Sequence, residues 1–161
     1  MIYNNSEVRR QDRLLEESRA IELLKEGEYG YLSMVDEDGT AYGVPINFVW
    51  DGNISIYLHC APQGRKLKCI QGNGAVSFTV VGKTKVASKK FTTAYESIVL
   101  KCRAYLGLEK EERLHGLKLF IAKYSPEDQV IGLKYIEKSF HRTEVIRLDI
   151  IECSGKTKQV H

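Results

Sequence analysis

Residues 29–60 read YGYLSMVDEDGTAYGVPINFVWDGNISIYLHC, and their apolar residues recur with a period of two. The runs YGYLSMV, AYGVPINFVW and ISIYLHC are separated by Asp36–Gly39 (DEDG) and Asp51–Asn53 (DGN). Asp-Gly and Gly-Asn accept the positive φ that hairpin turns require, so the stretch predicts three antiparallel strands joined by tight turns. In the third run Ile54, Ile56, Leu58 and Cys60 fall on one face, and Ser55, Tyr57 and His59 on the other. The apolar set fills an interior. Tyr57 and His59 then face outward, as a ligand or partner surface would.

The pattern continues in both directions. Upstream, Gln11–Gly27 places Leu14, Leu15, Ile21 and Leu24 at helical spacing, with Asp12 or Ser18 as candidate N-caps and Gly27 as the stop. Downstream of Pro62–Gly64, RKLKCIQGN suits a short helix that closes on Gly72 and Gly74. Ala75–Val86 and Tyr95–Leu108 alternate as strands around a basic loop. Glu109–Tyr124 opens with acids and carries Leu114, Leu117, Phe120 and Ile121 at helical period, and Thr143–Glu152 is a last strand. Five or six strands with short helices at their connections predict a mainly β fold, a small, partly closed antiparallel barrel. One domain is expected over residues 1–161: an N-terminal helical segment (1–28), the main barrel strands (29–108), a helical segment (109–140) and the last strand (141–156). No GxGxxG follows a strand and βαβ alternation is missing, which argues against a doubly wound sheet.

Composition narrows the function classes. The chain has 161 residues, 43% hydrophobic and 28% charged, enough for one core of ordinary size. Its 24 basic and 21 acidic side chains are spread along the chain, and the cluster KTKVASKK (residues 83–90) lacks interleaved aromatics. A nucleic-acid partner is therefore not expected. The four cysteines form no CxxC pair, and the opening MIYNNSEVRRQD has no apolar core of a signal peptide, so a reduced, cytoplasmic protein is expected. No run approaches the roughly 18 apolar residues of a membrane span. GxSxG and HExxH are missing, and the histidines make no metal-ligand spacing with the cysteines, which argues against a hydrolase or a zinc centre.

The chemistry concentrates in Tyr57–Lys66 (YLHCAPQGRK). Arg65 and Lys66 fall at a helix start, where free N–H groups and the dipole favour an anion and two cations add charge-assisted bonds. By residue type alone they read equally well as solvated charges, His59 as a structural histidine and Tyr57 as interface packing. Val44-Pro45-Ile46-Asn47 puts a proline inside a strand, which belongs at an edge. Such an edge either offers free backbone polar groups to a ligand or blocks aggregation.

In order and spacing, YGYLS, DGTAYGVPINFVWDG, IYLHCAPQGRKLKCIQGN, VSFTVV and YESIVLKCRAYL resemble the pyridoxamine 5′-phosphate oxidase-like split-barrel proteins, and most closely their 5-nitroimidazole resistance (Nim-type) branch. The resemblance runs from about Arg9 to Lys156. It implies a six-stranded antiparallel split barrel, a homodimer, and FMN, or else FAD, in clefts between the subunits. By the same resemblance Arg65 and Lys66 match phosphate contacts and Gly64 a close backbone approach. Leu58, His59 and Cys60 match the strand edge beside the flavin, and Val44, Pro45, Ile46 and Asn47 the strand against its ring system. His59 matches the histidine of the Nim-type branch, and Tyr95, Glu96 and Ser97 a stretch that approaches the cofactor. The arginine-rich C-terminal substrate segment of true pyridoxamine phosphate oxidases is missing. The implied activity is a flavin-dependent oxidoreductase acting on small aromatic acceptors such as 5-nitroimidazoles. A non-catalytic flavin-binding or sensing protein, an oxidase-like enzyme of another substrate and a haem binder are the alternatives.

Overall fold

The computed structural model describes residues 1–161. Its elements are β1 (Ile2–Tyr3), α1 (Glu17–Glu26), β2 (Tyr29–Val35), β3 (Ala41–Asn47), β4 (Val49–Trp50), β5 (Ser55–Cys60), α2 (Arg65–Gly72), β6 (Ala75–Ala87), β7 (Thr92–Tyr105), α3 (Lys110–Tyr124), α4 (Gln129–Ser139) and β8 (Glu144–Lys158). Gly39 and Gly52 have φ of 81° and 82°, as the hairpin turns between the first three runs require. The sheet runs β3-β2-β6-β7-β8-β5-β4, antiparallel throughout, with the two-residue β1 added parallel to β8.

That order explains the barrel. β3 and β4 lie at opposite edges of the sheet, yet only Phe48 separates them in the chain. The two edges must therefore come within one residue of each other, so the sheet curls into a barrel left open along this seam. The expectation of a single strand over AYGVPINFVW is corrected here: the chain changes edge at Phe48, whose ring is completely buried. It meets Phe78 edge-on at 5.1 Å between ring centres, among Leu32, Ile56, Leu58, Val80, Ile98, Leu100, Ile146 and Leu148. Six strands of at least six residues carry the barrel, as expected, and two short ones are added. Pro45 lies on the edge strand β3, where a proline is tolerated.

Three further expectations are corrected. Helix α1 starts after Glu16 rather than at Asp12 or Ser18, and no side chain caps it. The last strand extends to Lys158, because β7 supplies partners out to that residue. Tyr57 does point out of the barrel, but it is buried, 5% exposed, beneath α3. The alternation was right; the helical layer over β5 covers what it placed outside. Tyr57 joins Val49, Leu117, Phe120, Ile136 and Val145 in a second, smaller core between barrel and helices. Gly116 eases this: a Cβ there would come 3.0 Å from the Tyr57 ring and 3.3 Å from Val145, tight enough that the Tyr57 ring or the helix would have to shift. The Tyr57 hydroxyl donates to Glu112 at 3.2 Å, and burial first, then the Glu112 charge, pushes its pKa up to about 12. No helix is long and apolar enough to cross a membrane.

Candidate functional site

The end of β5 delivers the chain to α2 through Ala61–Gly64, all exposed. Gly64 precedes α2 with φ of 149°, and nothing lies within 4 Å of where its Cβ would be. The first backbone N–H groups of α2 have no helical acceptors, which leaves an open, positive cradle. Lys66 is half-buried beside it and takes part in none of the molecule's ion pairs.

Arg65 is differently placed from the expectation that pairs it with Lys66. Its Nη2 lies 2.5 Å and its Nε 2.7 Å from Asp36 Oδ2. Its guanidinium lies 4.0 Å above the centre of the Tyr42 ring. The bond from Arg65 holds Asp36 below the usual carboxylate range. Half of the cationic pair is thus already matched by an internal anion.

Tyr42 is on β3, and β3 continues from there to the other side of the site. Val44 and Ile46 pack against the barrel core, while Pro45 and Asn47 are exposed on the edge. Asn47 Nδ2 donates to the Glu28 carbonyl at 2.8 Å, and Asn47 lines a small hollow with His59, Phe120 and Tyr124. The fold therefore gathers Val44–Asn47, His59, Cys60 and Gly64–Lys66 along one border of the barrel, with Leu58 buried behind them.

His59 meets Phe120 edge-on at 4.6 Å, and desolvation lowers its pKa below the ordinary histidine value. At neutral pH it is an uncharged imidazole, with one N–H to donate and one lone pair to accept. The Cys60 thiol is pushed up, first by burial, which keeps it protonated and unreactive.

Tyr95, Glu96 and Ser97 are not brought to this border within the chain. Ser97 pairs with Lys156 of β8 and Tyr95 with Lys158, whereas Cys60 pairs with Glu144 at the opposite end of that strand. Glu96 is engaged there by Arg19, at 2.7 and 3.0 Å, and accepts the Lys83 N–H at 3.1 Å.

Several contributors were not singled out from sequence. Phe120 and Tyr124, stacked at 5.7 Å, read there as the core face and end of a helix. The Tyr124 hydroxyl donates to carbonyl oxygen, with Glu28 at 2.6 Å and Phe48 at 2.8 Å. Lys123 Nζ donates to the carbonyls of Gly27 at 2.6 Å and Phe48 at 2.8 Å, and lies 4.0 Å over the Phe48 ring. Side chains from the end of α3 thus tie the helical layer to the barrel seam.

Burial lowers Lys123 to about 8. Between about 8 and the ordinary lysine value near 10.4 the unfolded chain binds more protons than the folded one, so this group adds stability as pH rises through that window. The difference in denaturant stability between wild type and Lys123→Met should move in favour of wild type from about pH 7.5 to about 9.5. Taking that difference removes the opposite trend of the buried thiols Cys102 and Cys153, both pushed up to about 12. A difference that does not change with pH would contradict the buried-ammonium account.

With the geometry in place, comparison with known proteins assigns the chain. The profile of the pyridoxamine 5′-phosphate oxidase family matches residues 16–157. The chain belongs to that family. Among solved structures, a candidate 5-nitroimidazole antibiotic resistance protein from Bacteroides thetaiotaomicron superposes with TM-score 0.72 at 20% identity, over 90% of this chain and 86% of that one. The FAD and heme binding protein of Mycobacterium smegmatis gives 0.71 at 17% identity, covering 93% of this chain and 75% of that one. An FAD-binding protein of Mesorhizobium loti gives 0.62 at 19%, covering 92% and 97%. These likenesses are of fold, and they establish the split barrel for this family member. No curated protein matches the chain.

Proposed function

We propose that this member of the pyridoxamine 5′-phosphate oxidase family is a homodimeric, flavin-dependent oxidoreductase that takes FMN and reduces small aromatic acceptors, 5-nitroimidazoles among them. The observation that carries the reading is the joint placement of the α2 cradle, the free Lys66, the β3 edge and His59 along one border of the barrel. The residues fit a flavin phosphate. Gly64 leaves open space at a helix N-terminus, Lys66 offers an uncommitted cation, and Arg65 keeps donors beyond those it gives Asp36. A bound flavin supplies the two-electron redox chemistry itself. The protein's part is position and field.

Lys66 and the N–H groups of α2 would hold the phosphate. The unpaired backbone groups of the edge strand β3 would orient the ring system, with Val44 and Ile46 fixed by the core behind them. His59, neutral and held edge-on by Phe120, is placed to donate its N–H to the acceptor or to pass it a proton. The names of the neighbouring proteins, which speak of FAD binding and of nitroimidazole resistance, support a flavin and an acceptor of this kind.

Dimerisation is supported by the outer face of the sheet. Tyr29, Tyr31, Val81 and Val99 are each at least 43% exposed there, and cross-strand pairing puts Tyr31 beside both Pro45 and Thr79, and Thr79 beside Val99. A contiguous apolar patch of this kind marks an interface. Sedimentation at micromolar concentration should give a dimer; a monomer would contradict the shared-cleft arrangement. The activity is tested by reducing the purified flavoprotein without oxygen and adding a 5-nitroimidazole. Acceptor-dependent reoxidation is expected, and its slowing in His59→Ala with flavin retained would assign the histidine. Reoxidation no faster than without acceptor would reject the nitroreductase reading.

A further inference from the structure

Beyond His59 the border opens into a cleft of about 890 Å³ between α3, α4 and the end of β5. That volume lies within the range of sites for organic ligands. Its walls are mainly apolar, with Leu117, Phe120, Ile121 and Ile136 inside and Ile131 at the rim, 68% exposed. Two of the hydroxyls in the lining are already committed. Ser139 Oγ donates to the Tyr135 carbonyl at 2.8 Å, and Thr143 Oγ1 donates to the Ser139 carbonyl at 3.0 Å.

Two charges remain in the lining, at opposite ends of α4. Asp128 immediately precedes α4, and its side chain caps none of the helix N–H groups. Arg142 follows the other end of the 11-residue α4, roughly 16 Å along the helix from Asp128, and no ion pair of the molecule uses it. A mainly apolar cleft with, at one end, a guanidinium that no internal anion engages is complementary to an aromatic ring system that bears a carboxylate or similar anion.

We propose that the α3–α4 cleft binds a planar aromatic acid, its rings among the apolar side chains and its anionic group on Arg142. The assignment rests on the flavin reading only in identifying this ligand as the electron acceptor, since His59 lines both the cleft and the proposed flavin border.

The test uses binding and needs no turnover. 2-Naphthoate and its neutral analogue 2-naphthamide are titrated calorimetrically into the purified protein, with whatever cofactor it carries, and into Arg142→Gln and Ile131→Glu. Both positions are exposed, so the fold is expected to survive, and circular dichroism checks this. Wild type should bind naphthoate; Arg142→Gln should weaken it at least about tenfold and leave naphthamide unchanged. Ile131→Glu should weaken both ligands. Absent naphthoate binding, or binding indifferent to Arg142→Gln or to Ile131→Glu, would overturn the proposal. Arg142-dependent binding in a protein shown by its absorption spectrum to take no flavin would uphold the cleft and reject the flavin reading; a flavoprotein without that dependence would do the reverse.

Discussion

Lys66→Ala should weaken FMN binding by about 1.5–3 kcal/mol, the usual worth of a hydrogen bond to a charged group, or more than about tenfold in Kd. Lys66 is the only one of the two adjacent cations without an internal anion, and it stands beside the open start of α2. The neighbouring position should behave differently. Asp36→Asn removes the carboxylate that engages Arg65 at 2.5 and 2.7 Å, and so should tighten FMN binding by releasing the guanidinium toward the phosphate. Arg65→Ala would remove a cation and also uncover Asp36 close to an anion, so its effect mixes two terms. Fluorescence titration of the three variants separates them. Equal affinity in Lys66→Ala and wild type would move the phosphate away from α2.

Phe120→Ala should cost about 3 kcal/mol of stability, toward the lower end for a buried phenylalanine, because Phe120 belongs to the smaller core between α3 and the barrel. A second readout ties this to the site. The Phe120 ring abuts the His59 imidazole at 4.6 Å and is part of what desolvates it. Removing it takes away part of that desolvation, so the His59 pKa should rise toward the ordinary value of about 6.5. Denaturant titration gives the first effect and an NMR titration of the His59 ring protons the second. A destabilised variant with an unmoved histidine would show that Phe120 is structural only.

The barrel was legible in the sequence because its signals are local. The alternation of Tyr29–Cys60 and the Asp-Gly turns act within a few residues, and each became a strand or hairpin where it was read. What escaped was set at long range. No turn residue in INFVW marks Phe48 as the point where the chain leaves one edge of the sheet for the other; the change of edge follows from closure of the whole sheet. Tyr57 was correctly placed outside the barrel but is covered by a helix more than fifty residues further along.

The candidate site divides in the same way. The strand end, Gly64 and the start of α2 come from one continuous segment, and the sequence located them. Asp36 reaches Arg65 across 29 residues, and Phe120, Lys123 and Tyr124 reach the seam from α3, so no local pattern could announce them. Tyr95–Ser97 entered through family likeness alone. The fold sets them at the far end of β8, where only a second subunit could carry them to a flavin.

The central claim is that the border formed by β3, the end of β5 and α2 holds a flavin. Its most direct test is mass analysis of the small molecule released when the purified protein is denatured, with titration of added flavin if none copurifies. The account predicts FMN, bound in proportion to protein and more weakly held in Lys66→Ala. FAD in its place would correct the cofactor and keep the site. A protein that carries no flavin and binds neither FMN nor FAD when they are supplied would contradict the account.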